Sequence, residues 1–465
     1  MLLLLGCQCI RQAVEVYLIG RERFQAGVGA DGVVKLQVSS TTHSLPPGRL
    51  LRSIINPTAA RHFQLDAGHP QSPFNSGQEL YNDPVILRSG HPEKETLTQL
   101  PSSPPVPRRK DFRIGILGSG FIVNDCHLVS YRRAGFNPVA IASRNRENAA
   151  KVAMRHSVPQ VFETYEALLN DPSIEILDIA VPPQYQLELI HAACARGTVK
   201  GILAQKPLAL SYAQALDAVR SCERAGIQLS VNQNMRYDPS VYAVKTLIQQ
   251  GAFGVPVFAT IDMRGVPHWQ PWQAETGSAT LWIMSIHHLD CMRYWFGDPQ
   301  RVFCSTCPDP RTKFPHTDGI CTTILEYEGG LRCVVIDDVW TGPVKEGCPG
   351  DIRIQWRVEG LEGLAMGDIG WCKDPYTTPS TMRYARKGDQ SFHQFNPVES
   401  WFPDAFAGTM SQLLIALETG QLPAISGRDN LRTIALVQAT ALSAAEHRMV
   451  TVEEITLKNL TPRQP

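Results

Sequence analysis

The chain has 465 residues, 43% of them hydrophobic, enough for two or three domains with full cores. Its 44 lysines and arginines match its 44 aspartates and glutamates, so no global field favours nucleic acid or a membrane surface as partner. No stretch approaches the roughly 18 apolar residues that span a bilayer.

Residues 1–110 differ in texture from the rest of the chain. Met1-Leu-Leu-Leu-Leu-Gly-Cys7 has the outline of a lipoprotein cleavage site, but no basic start precedes it. Its apolar run is also shorter than the roughly 7–15 residues of a signal core, so a cytoplasmic protein is expected, with export left open. Proline-containing polar patches recur, at Leu45-Pro-Pro-Gly48, His69-Pro-Gln-Ser-Pro73 and 100–109, the last with the composition of a linker. Two β-like runs, 14–19 and 32–38, flank a glycine-rich stretch that reads as the turn of a hairpin. Such short runs bury little, so 1–110 is expected to be a poorly ordered extension. No methionine occurs between Met1 and Met154. A start near Val106 would therefore need a non-AUG codon, and a mis-assigned start is a further expectation.

From Asp111 strands and helices alternate. A strand over 112–117 leads into Gly118-Ser119-Gly120 and a helix over 124–134. Strand 138–142, helix 147–156, a short strand from Val161 and helix 165–170 come after it. Strand 176–181 ends at Pro182-Pro183, and helix 184–197 comes next. Strand 201–204 ends at Gln205-Lys206-Pro207, before helix 211–226 and strand 227–231. This alternation predicts a doubly wound parallel sheet over 111–232, with ligands at the carboxyl ends of its strands. The glycine turn brings bare backbone against a pyrophosphate. A lysine entering from a later strand puts a cation where hydride chemistry would take place.

Beyond Asn232 the runs are longer and richer in β-formers. Strands are predicted over 255–263, 320–327, 331–337 and 352–359, with helices over 281–295 and 404–419. The fold class is therefore α/β, an N-terminal Rossmann sheet followed at 233–465 by an α/β domain with a large, mostly antiparallel open sheet. The 12 cysteines are scattered, and Cys126, Cys194 and Cys222 sit in apolar or helical contexts that suit free thiols in a reducing compartment. Cys304-Ser-Thr-Cys307 has the spacing of a metal knuckle, but no second pair lies downstream, so no metal is expected.

Six segments resemble, in order and spacing, the family of glucose–fructose oxidoreductase, inositol dehydrogenase and MocA. They are Gly118-Ser-Gly120, Ala180-Val-Pro-Pro183, Gln205-Lys206-Pro207, Val231-Asn-Gln-Asn-Met-Arg-Tyr-Asp-Pro239, Ser285-Ile-His-His-Leu-Asp290, and Ile425-Ser-Gly-Arg-Asp-Asn-Leu431 through Ser443-Ala-Ala-Glu446. The likeness covers about 112–455. It implies hydride transfer between a sugar, polyol or related hydroxy compound and NADP or NAD, in a homodimer or homotetramer.

The resemblance places Gly118, Gly120, Phe121, Ile122, Pro182, Pro183, Gln205 and Lys206 at the cofactor. Val123 stands at the third small position of the glycine motif, which calls for a slightly displaced helix. Ser143-Arg144 ends the second strand, where an acidic residue selects NAD and arginine suits a 2′-phosphate, giving a lean toward NADP. The alternative for Arg144 is a solvated cation at a helix start. Lys206 is expected to stabilise a developing alkoxide and His287 to be the general base. Gln205 replaces the usual glutamate, and Ile283 stands where the family often has an aspartate. Asp290 could share the face of His287, while His288 points about 100° away and is read as packing. Asn234 and Arg236 are candidates for substrate, or else for an interdomain contact. His268 begins His268-Trp-Gln-Pro-Trp272, a sugar platform or a subunit interface. Two other readings remain, redox-neutral chemistry with a tightly held nucleotide and a non-catalytic nucleotide-binding protein.

Overall fold

The computed structural model describes residues 100–458, apart from 266–270, 311, 340–351, 371 and 374–375, together with three strands near the amino terminus. The chain divides into two compact units, Met1–Ile86 and Leu87–Pro465.

In the first unit β1 (Glu15–Ile19), β2 (Glu22–Val28) and β3 (Val34–Ser39) form an antiparallel sheet in that order. The stretch expected as a turn is thus a strand, and it separates the two runs expected to pair. Its residues Arg23-Phe24-Gln25-Ala26 alternate polar and apolar, and that period outweighs the nearby glycines. The rest of residues 1–99 lies outside the described residues.

In the second unit the proline-rich stretch at 100–110, expected as a poorly ordered linker, lies against the protein. Pro104 and Pro107 are buried. The main-chain N–H groups of Arg108 and Arg109 donate to the carboxylate of Glu418, at 3.3 and 2.5 Å. The Arg109 guanidinium lies 3.8 Å from the Phe112 ring centroid and pairs with Glu175 at 3.0 Å. A proline-rich strand has no internal hydrogen bonds, so its donors must find such partners elsewhere.

Six parallel strands come next: β4 (Arg113–Leu117), β5 (Asn137–Ala142), β6 (Gln160–Phe162), β7 (Ile176–Ile179), β8 (Gly201–Ala204) and β9 (Gln228–Val231). Their order is β6-β5-β4-β7-β8-β9. The direction of winding reverses between β4 and β7, which opens a crevice at the carboxyl ends there. Strands β7 and β8 are buried at every residue, as a sheet covered on both faces requires. Three of the covering helices start at Asn145, Thr164 and Ser211, whose side chains each accept a main-chain N–H of the first turn.

The second sheet has nine strands: β10 (Pro256–Arg264), β11 (Arg301–Cys307), β12 (Ile320–Glu326), β13 (Arg332–Asp338), β14 (Arg353–Gly360), β15 (Gly363–Asp368), β18 (Thr381–Arg386), β19 (His393–Phe395) and β20 (Val450–Thr451). Between them β16 (Cys372–Lys373) and β17 (Tyr376–Thr377) make a separate pair. The order is β19-β18-β15-β14-β10-β13-β12-β11-β20. Only β10 and β13 run parallel, so the sheet is mixed and mostly antiparallel. Cys304 and Cys307 both lie on β11, one buried and one exposed. Three residues apart on a strand they face opposite ways, so they cannot act as one knuckle. Helices Pro239–Gln249 and Ile286–Phe296 pack together, and Trp295 on the second meets Trp356 of β14 at a centroid distance of 5.5 Å. No helix among the described residues is long and apolar enough to cross a membrane.

Candidate active site

Main-chain hydrogen bonds stitch the strand ends together. Gly118 N–H reaches Ala142 O, Ala180 N–H reaches Leu117 O, and Asn232 N–H reaches Ala204 O, each at 2.8 Å. Gly118 has φ +119°, and a Cβ there would stand 2.3 Å from the Ala180 carbonyl oxygen, so only glycine fits. Gly120 faces open space, leaving its backbone approachable. The helix after it opens with a π-helical turn, Ile122–His127, and continues as Leu128–Ala134. Val123 is fully buried beneath that wide first turn.

Lys206 sits just past β8, and the Lys206–Pro207 bond is cis. Gln186, buried on helix Pro183–Arg196, grips this segment from three sides. Its Nε2 donates to the carbonyls of Gln205 and Pro207 at 2.9 and 2.8 Å, and its Oε1 accepts from Gln205 N–H at 2.8 Å. The Lys206 side chain crosses to the second sheet's helices, where Nζ donates to the Ile283 carbonyl at 2.6 Å. Burial pulls the Lys206 pKa down to about 7. A main-chain carbonyl supplies a dipole there, so no full counter-charge opposes that shift.

Ile283 belongs to a second π-helical turn, Leu281–Ser285, which leads into helix Ile286–Phe296. Asp318 organises its start. That carboxylate accepts the N–H groups of Ala279, Thr280 and Leu281 and the Ser278 hydroxyl, at 2.7–3.0 Å. His287 comes four residues after Ile283, on the same helical face, and is 3% exposed. Burial, then the charge of Lys206, then His288, push its pKa well below the ordinary histidine value, so the imidazole is neutral. Its ring meets Trp401 edge-on at 5.1 Å. From Trp401 an aromatic row runs through Phe402 at 4.5 Å to Phe121 at 6.5 Å, joining His287 to the glycine turn.

Several polar atoms around these strand ends are buried with no protein partner among the described residues. They include Gln205 Nε2, both amide atoms of Gln233, Asn232 Oδ1 and His287 Nδ1. Leaving such groups unpaired costs about 1–3 kcal/mol each, so they fit a polar ligand that supplies the missing partners. With the open backbone at Gly120, they suit a nicotinamide dinucleotide and a hydroxylated substrate beside it.

Comparisons with known proteins agree with this geometry. Residues 112–233 match the model of an oxidoreductase family with an NAD-binding Rossmann fold, and 241–370 match the GFO/IDH/MocA C-terminal domain. The chain belongs to the Gfo/Idh/MocA oxidoreductase family. It is 27% identical over 357 residues to D-apiose dehydrogenase of Paraburkholderia graminis, covering 74% of this chain and 91% of that protein. It is 24% identical to an NADP(+)-dependent D-xylose 1-dehydrogenase of Haloferax volcanii, covering 71% and 96%. Among solved structures, an oxidoreductase of Agrobacterium radiobacter in complex with NAD+, L-tartaric acid and magnesium superposes with a TM-score of 0.64. It is 22% identical and matched over 74% of this chain and 99% of its own. Levoglucosan dehydrogenase with NADH and L-sorbose gives 0.63 at 20% identity, with coverages of 74% and 99%. The protein is therefore an NAD(P)-dependent oxidoreductase.

Within this family member Lys206, Gln205 and His287 converge, and Phe121, Ile122, Pro182 and Pro183 line the strand ends beside them. Phe121 is 60% exposed, Ile122 and Pro182 are half-buried, and Pro183 is buried at its helix start. Ser143 accepts from Asn145 N–H at 3.4 Å, and exposed Arg144 lies 4.5 Å from the Tyr185 ring centroid. His268 lies outside the described residues. Asn234 is buried, and its Oδ1 accepts from Trp401 Nε1 at 2.7 Å, so it steadies the indole beside His287. His288 turns away from His287 and pairs with Asp337 at 2.5 Å.

Arg236 and Asp290, candidates for substrate, are engaged with each other, which agrees with the alternative of an interdomain contact for Arg236. Arg236 is 3% exposed and makes two bonds to Asp290, at 2.6 and 2.7 Å. It adds one to Asp429 at 2.7 Å and one to the Ala424 carbonyl at 2.9 Å. Asp290 also accepts from Thr433 at 2.6 Å, and Arg293 reaches Asp429 at 3.2 Å. Both side chains are thus spent inside the protein, tying the hand-over between sheets to helix Gly427–Glu446. Burial opposes the charge on Arg236, but Asp290 and Asp429 outweigh it and hold its pKa above the ordinary value.

Sequence reasoning missed Gln186, Asp318 and a buried network under the glycine turn. In that network His127 Nδ1 meets Asp178 at 2.7 Å and its Nε2 meets Asn232 Nδ2 at 2.9 Å, while Tyr131 donates to Asp178 at 2.9 Å. One signal was available: Asp178 is a charged residue inside an otherwise apolar run, Ile176-Leu177-Asp178-Ile179.

Asp290→Ala removes one of the two carboxylates that pair with Arg236 and leaves Asp429 as its partner. It is therefore expected to destabilise the fold by about 1.5–3 kcal/mol, the range for hydrogen bonds to a charged group. Denaturant unfolding checks this; a stable Asp290→Ala protein with raised KM would instead return Asp290 to the substrate.

Proposed function

We propose that the protein oxidises a hydroxyl of a sugar, polyol or related compound, or reduces the corresponding carbonyl, with 111–232 as cofactor module and 233–465 as substrate and assembly module. The observation that carries the reading is the convergence of Lys206 and neutral His287 across the two sheets. The apiose and xylose dehydrogenases among the relatives support the carbohydrate class. When bound, the nicotinamide supplies the chemistry of accepting a carbon-bound hydride. His287 receives the hydroxyl proton at its unpartnered ring nitrogen, because burial keeps the imidazole neutral. The Lys206 ammonium faces the oxygen that becomes anionic. Gln205 and Gln233 offer their free amide atoms to polar ligand groups. Arg144, exposed beside Tyr185 at the end of β5, supports NADP over NAD.

The test is nicotinamide reduction with NADP and NAD against a panel of sugars and polyols. Lys206→Ala is expected to lower kcat about 10²–10³-fold, the effect of removing one oxyanion donor. Unchanged turnover in that variant discards the assignment. Product formed without net nicotinamide reduction would mean redox-neutral chemistry.

The pH profile has a defined sign. Lys206 carries its charge below about pH 7 and loses it above, while His287 is already neutral well below its ordinary value. Oxyanion stabilisation is therefore present on the acid side of 7, and kcat/KM is expected to fall as pH rises through it. A profile still climbing between pH 7 and 8 would contradict this.

Arg144→Ala is expected to raise KM for NADP by about tenfold or more, the value of a charged hydrogen bond, while leaving NAD nearly unaffected. Equal effects on both nucleotides would make Arg144 a solvated cation only.

A further inference from the structure

On the outer side of the Rossmann module, helices Pro183–Arg196 and Tyr212–Ala225 pack against each other. Between them Cys194 and Cys222 bring their sulphurs to 3.7 Å. Cys222 is buried, whereas Cys194 is half-buried and opens on a cavity of about 470 Å³. That cavity is lined by His191, Asp217, Ser221 and Arg224 as well. His191 stands 3.1 Å from Asp217, and Arg224 donates to Ser221 at 3.0 Å, so the mouth is polar and carries a fixed cation.

We propose that Cys194 and Cys222 form a peroxide-sensitive thiol pair that closes reversibly to a disulfide. Access runs through the cavity to Cys194, which is the attacking sulphur, and Cys222 behind it is the resolving one. The contact with Cys222, helped by the Arg224 charge, draws the Cys194 pKa below the ordinary thiol value against the effect of burial. The same contact, followed by burial, drives Cys222 far up, so the two thiols differ in role.

The chemistry balances with a hydroperoxide as oxidant. The Cys194 thiolate attacks the terminal peroxide oxygen, the O–O bond breaks, and the alcohol or water leaves with a proton. Cys194 is then a sulfenic acid. The Cys222 sulphur attacks Cys194 Sγ, its own proton departs with the displaced hydroxide as water, and an S–S bond forms. Two thiols have lost two electrons and the peroxide has gained them. The sulphurs need only close from 3.7 Å to about 2.05 Å.

The position gives the bond a consequence. Cys194 lies eight residues beyond Gln186 on one helix, roughly 12 Å along its axis. The cross-link would fix the helix that grips Gln205 and Pro207 against the helix that comes after them.

Treating the reduced full-length protein with hydrogen peroxide and mapping tryptic peptides without reductant tests this. The expected product joins peptide 156–196, which holds Cys194, to peptide 221–224, which holds Cys222, and dithiothreitol separates them. In Cys222→Ser, oxidation should stop at a Cys194 sulfenic acid that dimedone traps. Recovery of both peptides as free thiols while exposed Cys307 is oxidised overturns the proposal. So does a Cys194 sulfinic acid in the wild-type protein with no cross-link.

Discussion

An ammonium group taken out of water, with only a peptide carbonyl to receive it, sets the terms of this cleft. Lys206 leaves the Rossmann sheet and ends on Ile283 of the second domain, so a hydrogen bond of 2.6 Å joins the two halves at the cleft. A carboxylate at position 283 would hold that charge firmly. Isoleucine there leaves a dipole alone, and burial lowers the pKa to about 7. Arg236 shows the opposite solution in the same protein. It is more fully buried than Lys206, but two carboxylates surround it and keep it charged. One cation is held fixed for architecture, and the other is, on the proposed reading, left poised for chemistry.

A poised group is useful only if its position is rigid, and both ends of the Lys206 contact are held by buried side chains. Gln186 spends its whole amide on the main chain around Lys206. Asp318 spends its carboxylate on the first turn before Ile283. Each converts a loop, which would otherwise wander, into a fixed strand end or helix start. The π-helical turns at Ile122–His127 and Leu281–Ser285 fall at the two helix starts facing the cleft. Wide turns of this kind recur where a helix must adapt to a site.

Most of the Rossmann half was legible in the sequence. Its strands are mostly apolar and three of its helices begin at Asn145, Thr164 and Ser211, so period and caps agree. The second sheet was read in part, because Arg301–Cys307 and Thr381–Arg386 mix threonine, serine and arginine into strands packed on one face only. The alternation of strands and helices put Lys206 at a strand end, whereas Gln205 and His287 were singled out through the family resemblance. Arg236 and Asp290 could not be told from ligand-binding residues, since a buried ion pair and a substrate clamp use the same side chains. The pairing depends on Asp429 and Ala424, nearly 200 positions away, and no local pattern carries that distance. Gln186 was invisible for a related reason: one amide on an amphipathic helix looks like any other until its partners are known.

The interaction that depresses His287 bears on the direction in which the site does its work. Lys206 and His287 repel when both are charged, and each is also penalised by burial. An anion placed between them removes that repulsion and gains attraction from both. A neutral hydroxyl gains much less. On the proposed reading, the site therefore favours the oxygen as its negative charge grows more than it favours the oxygen at rest, which is the condition for accelerating a step as distinct from tightening a complex. Replacing Ile283 by a carboxylate would weaken this preference, because a permanent counter-ion would already satisfy Lys206 before any substrate charge developed.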